Sequence, residues 1–203
     1  MIETLKIIRP IPEKSIKRNT LYALFVVLLG FALGYMAKAT DSISVAGEIG
    51  SDLGIWIFVA ALICAFSRTP LMAAVNAPLF FLSVLCAYYL YGQIVLGFFP
   101  KDYFMGWLVI SLLSPIGGFL SWLSRGNGWK ANMCAALPVS ILFAWGCPFY
   151  YTFQIPLMLD MLYAFILLIV LPRAWREKAI ALGIACVLAF IIVQSDLLSY
   201  LPF

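Results

Sequence analysis

Apolar residues run through this chain in long blocks, and short polar stretches divide them into seven segments: about 20–37, 53–67, 70–92, 104–124, 131–147, 155–171 and 179–194. Segments near 20 residues match a helix that crosses a ~30 Å hydrocarbon core, and the polar punctuation marks where each emerges. The second segment falls short, since fifteen residues at about 1.5 Å each reach only ~22 Å. It must extend backward through Glu48 to Gly54, or sit where the bilayer is thinned or protein surrounds it. The first follows a basic stretch too long for a signal peptide and lacks a small-residue cleavage site, so it reads as a retained helix. The expected fold is all-α: a polytopic membrane helical bundle of seven transmembrane helices. It forms one transmembrane domain over 20–203, behind a basic cytoplasmic segment at 1–19.

Composition agrees with the pattern. Of 203 residues, 65% are apolar and 11% charged, and mean hydropathy is +1.04, where a soluble domain carries about 25% charged residues. A soluble globule of this size leaves roughly a quarter or more of its chain's area in water, which this composition does not suit. Charge then orients the bundle. With the N-terminus inside, Lys6, Arg9, Lys14, Lys17, Arg18, Arg68, Arg125, Lys130, Arg173, Arg176 and Lys178 are cytoplasmic, and Lys38 and Lys101 lie outside: eleven against two. That is the positive-inside bias of an N-in, C-out protein. Rhodopsin-like receptors run the other way, and a retinal protein needs a lysine in its last helix, where 181–193 has none.

The absences narrow the chemistry. There is no histidine, which removes the commonest zinc, copper and haem ligand and the usual near-neutral proton carrier. Five cysteines without CxxC spacing read as packing residues rather than a disulfide or metal framework. No phosphate-loop, dinucleotide, hydrolase or zinc-protease string occurs. No metal or cofactor is expected, and neither a paired carboxylate nor a nucleophile–base set points to catalysis.

Among polar residues inside the segments, Asp160 stands out as an acid about 7 Å below the start of the sixth helix. A carboxylate at a helix centre costs roughly 2.5–3.5 kcal/mol on insertion scales, so it should face a cavity or a partner, unless the positive end of its own helix and interfacial water suffice. Tyr88, Tyr89 and Tyr91, with Gln93, crowd the outer half of the third segment. With Asp160 and Gln154 at similar depth they outline an expected ligand pocket. Ser114-Pro-Ile-Gly-Gly118 has the composition of a broken helix, which transporters use to expose backbone to substrate, so Ser114, Gly117 and Gly118 join the candidate set. Asn76 reads as interhelical glue or as a partner for carbonyls freed by Pro78. Gly30 and Gly34 form a GxxxG that permits close helix approach, within the chain or between copies.

The blocks Leu53-Gly-Ile-Trp-Ile-Phe58, Phe66-Ser-Arg-Thr-Pro70, Ala87-Tyr-Tyr89, Trp107-Leu-Val-Ile-Ser-Leu-Leu-Ser-Pro-Ile-Gly-Gly118 and Gly126-Asn-Gly-Trp-Lys130 resemble an uncharacterised family of small multi-spanning bacterial membrane proteins over roughly residues 25 to 150. The resemblance implies the bacterial cytoplasmic (inner) membrane, and no activity.

Two functions compete. A compact bundle with few loops suits a transporter, or a membrane-embedded substrate-binding subunit, for a small solute. The scarcity of intramembrane polar groups suits a non-catalytic accessory, scaffold or lipid-binding protein. Membrane lipids are the expected partners, with anionic headgroups near Lys14, Lys17 and Arg18. A protein partner or a second copy is compatible with the pattern, and nothing points to nucleic acid.

Overall fold

The computed structural model describes residues 8–12, 15–97 and 99–195, and the regular elements among them are all helices. In chain order they are α1 (Ile16–Ala39), α2 (Ser44–Ser51), α3 (Leu53–Phe66), α4 (Pro70–Val95), α5 (Lys101–Leu123), α6 (Trp129–Gly146), α7 (Phe149–Thr152), α8 (Ile155–Val170) and α9 (Trp175–Gln194). Five stretches are long and apolar enough to cross a membrane: α1, α4, α5, Trp129–Thr152 and α9. The pair Val45–Ser51 and Leu53–Phe66, bent by 57°, supplies a sixth when counted as one span, while α8 is apolar but only 16 residues long. The weak second segment is thus both extended backward, through α2, and enclosed by protein.

Local chemistry accounts for the boundaries. Thr69 caps α4 by accepting from Met72 N–H at 3.2 Å, and Pro70 occupies the first turn, where its missing N–H costs nothing. The expected break at Ser114–Gly118 is absent, and α5 runs through it as continuous helix. Pro115 withholds the N–H that would have bonded the Ser111 carbonyl four residues back. The Ser114 hydroxyl donates to that same carbonyl at 2.6 Å instead, so the helix closes over its proline.

Helices α1, α4 and α5 pack as one group and α6, α8 and α9 as another, with α3 wedged between, touching α4, α5, α6 and α8. All three buried apolar clusters draw on α3. Ala61 and Ala65 join α6, α8 and α9 residues; Trp56, Ala60 and Ile63 join Val26, Phe80 and Val84; Cys64 joins Ala73, Ala77 and Trp122. Large apolar side chains of α1, α5 and α9, such as Phe25, Leu112 and Phe190, are exposed outward, as a lipid-facing surface requires.

The GxxxG of α1 packs within the chain. A Cβ on Gly30 would come within 2.8 Å of the Phe80 carbonyl oxygen, and one on Gly34 would overlap that of Val84, both on α4. We predict that Gly34→Ala forces the α1 and α4 backbones apart and costs about 1–3 kcal/mol, read as a lower thermal midpoint of the purified protein. Gly183→Ala, where a Cβ would meet nothing within 4 Å, should not lower it.

Candidate functional site

Polar side chains gather at the two ends of α3. At its C-terminal end the Ser67 hydroxyl donates to the Ile63 carbonyl at 2.9 Å, and Tyr22 of α1 donates to the same oxygen at 2.9 Å. Asn76, fully buried on α4, donates through Nδ2 to Ser67 Oγ at 3.0 Å, which ties α4 to the end of α3. Arg9, from the stretch before α1, fits its guanidinium against three carbonyls: Ala65 at 2.9 Å, Trp122 at 2.6 Å and Ser67 at 3.4 Å. It also stacks 4.5 Å over the Trp122 ring. The last carbonyls of a helix lack intrahelical donors and carry partial negative charge, so one cation caps α3 and α5 together. Burial first, and then the charges of Arg125 and Arg173, lower the Arg9 pKa to about 10, leaving it charged at neutral pH. Arg125 is lowered too, by burial and then by Arg173.

At the other end Asp52 occupies the break between α2 and α3, with the first backbone amides of α3, those of Leu53 and Gly54, beside its carboxyl and the Trp145 indole of α6 donating to it. The Trp56 indole donates to the Gly50 carbonyl at 3.2 Å and braces the bend. Asp160 of α8 is fully buried and faces this junction. A Cβ on Gly54 would overlap Asp160 Oδ1, so glycine is what lets α8 bring its carboxyl this close. Among the described residues, neither Asp160 oxygen has an N–H or O–H donor from another residue. What lies within hydrogen-bonding reach is the Asp52 carboxyl. The sequence shows no paired carboxylates, and the structure corrects that expectation by bringing Asp52 and Asp160 together at this junction.

Two cavities flank α3. The first, about 560 Å³, opens beside the Asp52 end between α2, α4 and α5, where Ser51, Trp56, Tyr88, Tyr89, Tyr103 and Trp107 line it and Lys38 stands at its edge. Lys38 is already engaged, bonded to Asp41 at 2.6 Å and set 4.9 Å from the Tyr88 ring centre. The second, about 410 Å³, lies toward the Arg9 end between α3, α4, α5 and α6, against Ala60, Cys64, Ala77, Ser114, Gly117 and Gly118. Phe81 lines both.

The residues expected to form one pocket are therefore dispersed. Tyr88 and Tyr89 line the first cavity, while Ser114, Gly117 and Gly118 line the second. Asp160 lines neither. Tyr91 turns toward α1, edge-on to Tyr35 at 5.1 Å, and Gln93 and Gln154 are exposed near helix ends. Equal depth grouped Asp160 with the tyrosines, but α8 packs on α3 and α6 and leaves α4 to other partners. The helix break expected to supply opened backbone is closed by Ser114, so that part of the site offers side-chain space only. Gly118 serves close packing, since a Cβ there would approach the Ala73 carbonyl oxygen to 2.5 Å. Arg9 entered the sequence reading only as one of the cytoplasmic charges, and Asp52, Trp145 and Phe81 were not singled out.

The Gly54 contact generates a test. We predict that Gly54→Ala destabilises the protein through Asp160, so that Asp160→Ala in the same chain recovers the loss. Thermal midpoints of both single variants and the double variant should give a coupling of about 0.5–3 kcal/mol. Additive losses would mean that Gly54 acts elsewhere. Comparison of the chain with protein-family models, with curated proteins and with solved structures finds no match, so function has to be argued from this geometry.

Proposed function

We propose that this chain is a seven-span, N-in and C-out transporter of the bacterial cytoplasmic membrane, passing a small uncharged or amphipathic solute along α3, α4 and α5. One observation carries the reading: two cavities succeed each other along the same helices, and a single side chain, Phe81, belongs to both. A side chain that borders two neighbouring cavities can gate passage between them, because a rotamer change or a small helix shift then switches access. The linings choose the solute. Aromatic residues together with Ser51, Tyr88 and Tyr103 line the first cavity, and mainly apolar residues line the second. An ion would lose its hydration there without replacement, whereas a flat or amphipathic molecule gains apolar contact and a few hydrogen bonds.

A lipid-binding scaffold is the second reading, and the apolar second cavity favours it, since the Ser114 hydroxyl there is already committed to Ser111. The exposed Lys17 and Arg18 at the start of α1 would meet anionic headgroups at about 1 kcal/mol each. Lys14, assigned to the same role, lies outside the described residues.

The functional test begins with a thermal-shift screen of small uncharged aromatic and amphipathic solutes, whose hits go to flux measurements in proteoliposomes. Phe81→Trp should slow flux about tenfold, or ~1.4 kcal/mol of barrier, and Phe81→Ala should speed it, with binding kept in both. Binding without flux in any form selects the scaffold. For topology, a reporter active only in the cytoplasm should work at the N-terminus and fail at the C-terminus. Activity at both ends would leave six crossings, with the α2–α3 pair not traversing.

A further inference from the structure

We propose that Asp52 and Asp160 form a proton-binding site, one proton being held between the two carboxyls across the junction of α2, α3 and α8. Hydrogen-bonding capacity decides what this contact can be. An ionised carboxylate only accepts, so two of them in contact make no bond and repel. One proton turns the same contact into an O–H···O⁻ bond, the short and strong kind. Asp160 is fully buried and the described residues offer no other donor to either oxygen, so the carboxyl opposite is the partner they supply. The Trp145 indole and the first amides of α3 all attend Asp52. That asymmetry places the negative charge on Asp52 and the proton on Asp160.

The surroundings select a proton over a metal ion. No group of three or more His, Cys, Asp or Glu is placed to hold a metal among the described residues, and sodium or calcium would need oxygens beyond these two carboxyls. Among the described residues, no lysine or arginine forms an ion pair with either carboxyl. The helices packed on Asp160 carry their described lysines and arginines at the opposite end: Lys130 in the first turn of α6, Arg176 and Lys178 in the first turn of α9. Tyr163, one turn along α8, faces the pair, and Glu48 of α2 is exposed. The proton also has a path. Asp52 is partly exposed at the break whereas Asp160 is not, so release hands the proton to water at Asp52 and leaves two carboxylates.

Proton occupancy then has a mechanical consequence, which rests on the transport reading. Bound, the proton ties α8 to the α2–α3 break; released, it leaves two like charges pushing that break apart. Gly50 and Ser51, directly before Asp52, are wall residues of the first cavity.

Infrared difference spectroscopy on the full-length protein in nanodiscs, with no solute present, tests the site apart from transport. The expected result is a protonated-carboxyl C=O band at neutral pH that shifts in D₂O and disappears on alkaline titration. Replacing sodium by a bulky organic cation should leave it unchanged, and Asp160→Asn should abolish it. Should Asp160→Asn fail to fold, Asp52→Asn serves: a proton left on Asp160 opposite an amide moves the band, and an ionised Asp160 removes it. A missing wild-type band, a band dependent on sodium, one that survives Asp160→Asn, or one unchanged in Asp52→Asn overturns the proposal. None of those outcomes bears on flux through the Phe81 chambers, and absence of flux leaves the band unaffected.

Discussion

A helix of 14 residues is about 21 Å long and cannot reach both faces of a ~30 Å hydrocarbon core. This constraint on α3 organises the rest of the molecule. A short helix at the centre of a bundle has ends that fall inside, where each unpaired backbone group costs several kcal/mol. The protein must bring polar partners to those ends, and it does so with different chemistry at each. Tyr22, Ser67 and Arg9 supply donors to the carbonyls at one end, while at the other Asp52 stands beside the free amides. The buried polar groups that give this chain any chemistry are largely there because α3 is short.

The same helix makes the cavities. Its small residues Ala60, Ala61 and Cys64 line the second cavity and leave room toward α4 and α5, while Ala61 and Ala65 also pack against α6, α8 and α9. On α5 the room comes from Gly117, whose missing side chain faces nothing within 4 Å, and not from opened backbone. On the transport reading proposed above, passage would depend on side-chain volume more than on exposed peptide groups, with Phe81 bordering both cavities.

What was legible in the sequence follows from what a linear pattern encodes. Apolar length located the helices, and the deficit of one segment marked α3 as abnormal before any contact was visible. The GxxxG of α1 announced close approach, though not that Phe80 and Val84 would be its partners. The carboxyl pair was not legible, because Asp52 and Asp160 are more than a hundred residues apart and nothing in the pattern around Asp52 points to the later helix. Depth along a helix axis can be counted from sequence, but the direction in which a side chain points around the bundle depends on which helices are neighbours. That is why Asp160 was grouped with Tyr88 and Tyr89 at the same depth on a helix it does not face. Arg9 was counted as one of many cytoplasmic charges. Its flanking Ile8 and Ile11, which pack beside Trp122 and Cys64, were the signal that this arginine is drawn into the protein.

The two ends of α3 are held unequally, and the inequality gives the bundle a direction. At the Arg9 end one guanidinium bonds carbonyls of two helices, stacks on an indole and is backed by apolar packing from Ile8 and Ile11. Those contacts do not change over the physiological pH range, because an arginine with a pKa of about 10 stays charged. At the Asp52 end the junction rests on the Trp56 brace and on two carboxyls whose interaction changes sign with a single proton. A small perturbation therefore acts at one end and leaves the other as a fixed pivot. The first cavity lies at the end that responds, which places the variable contact next to the chamber a solute would enter.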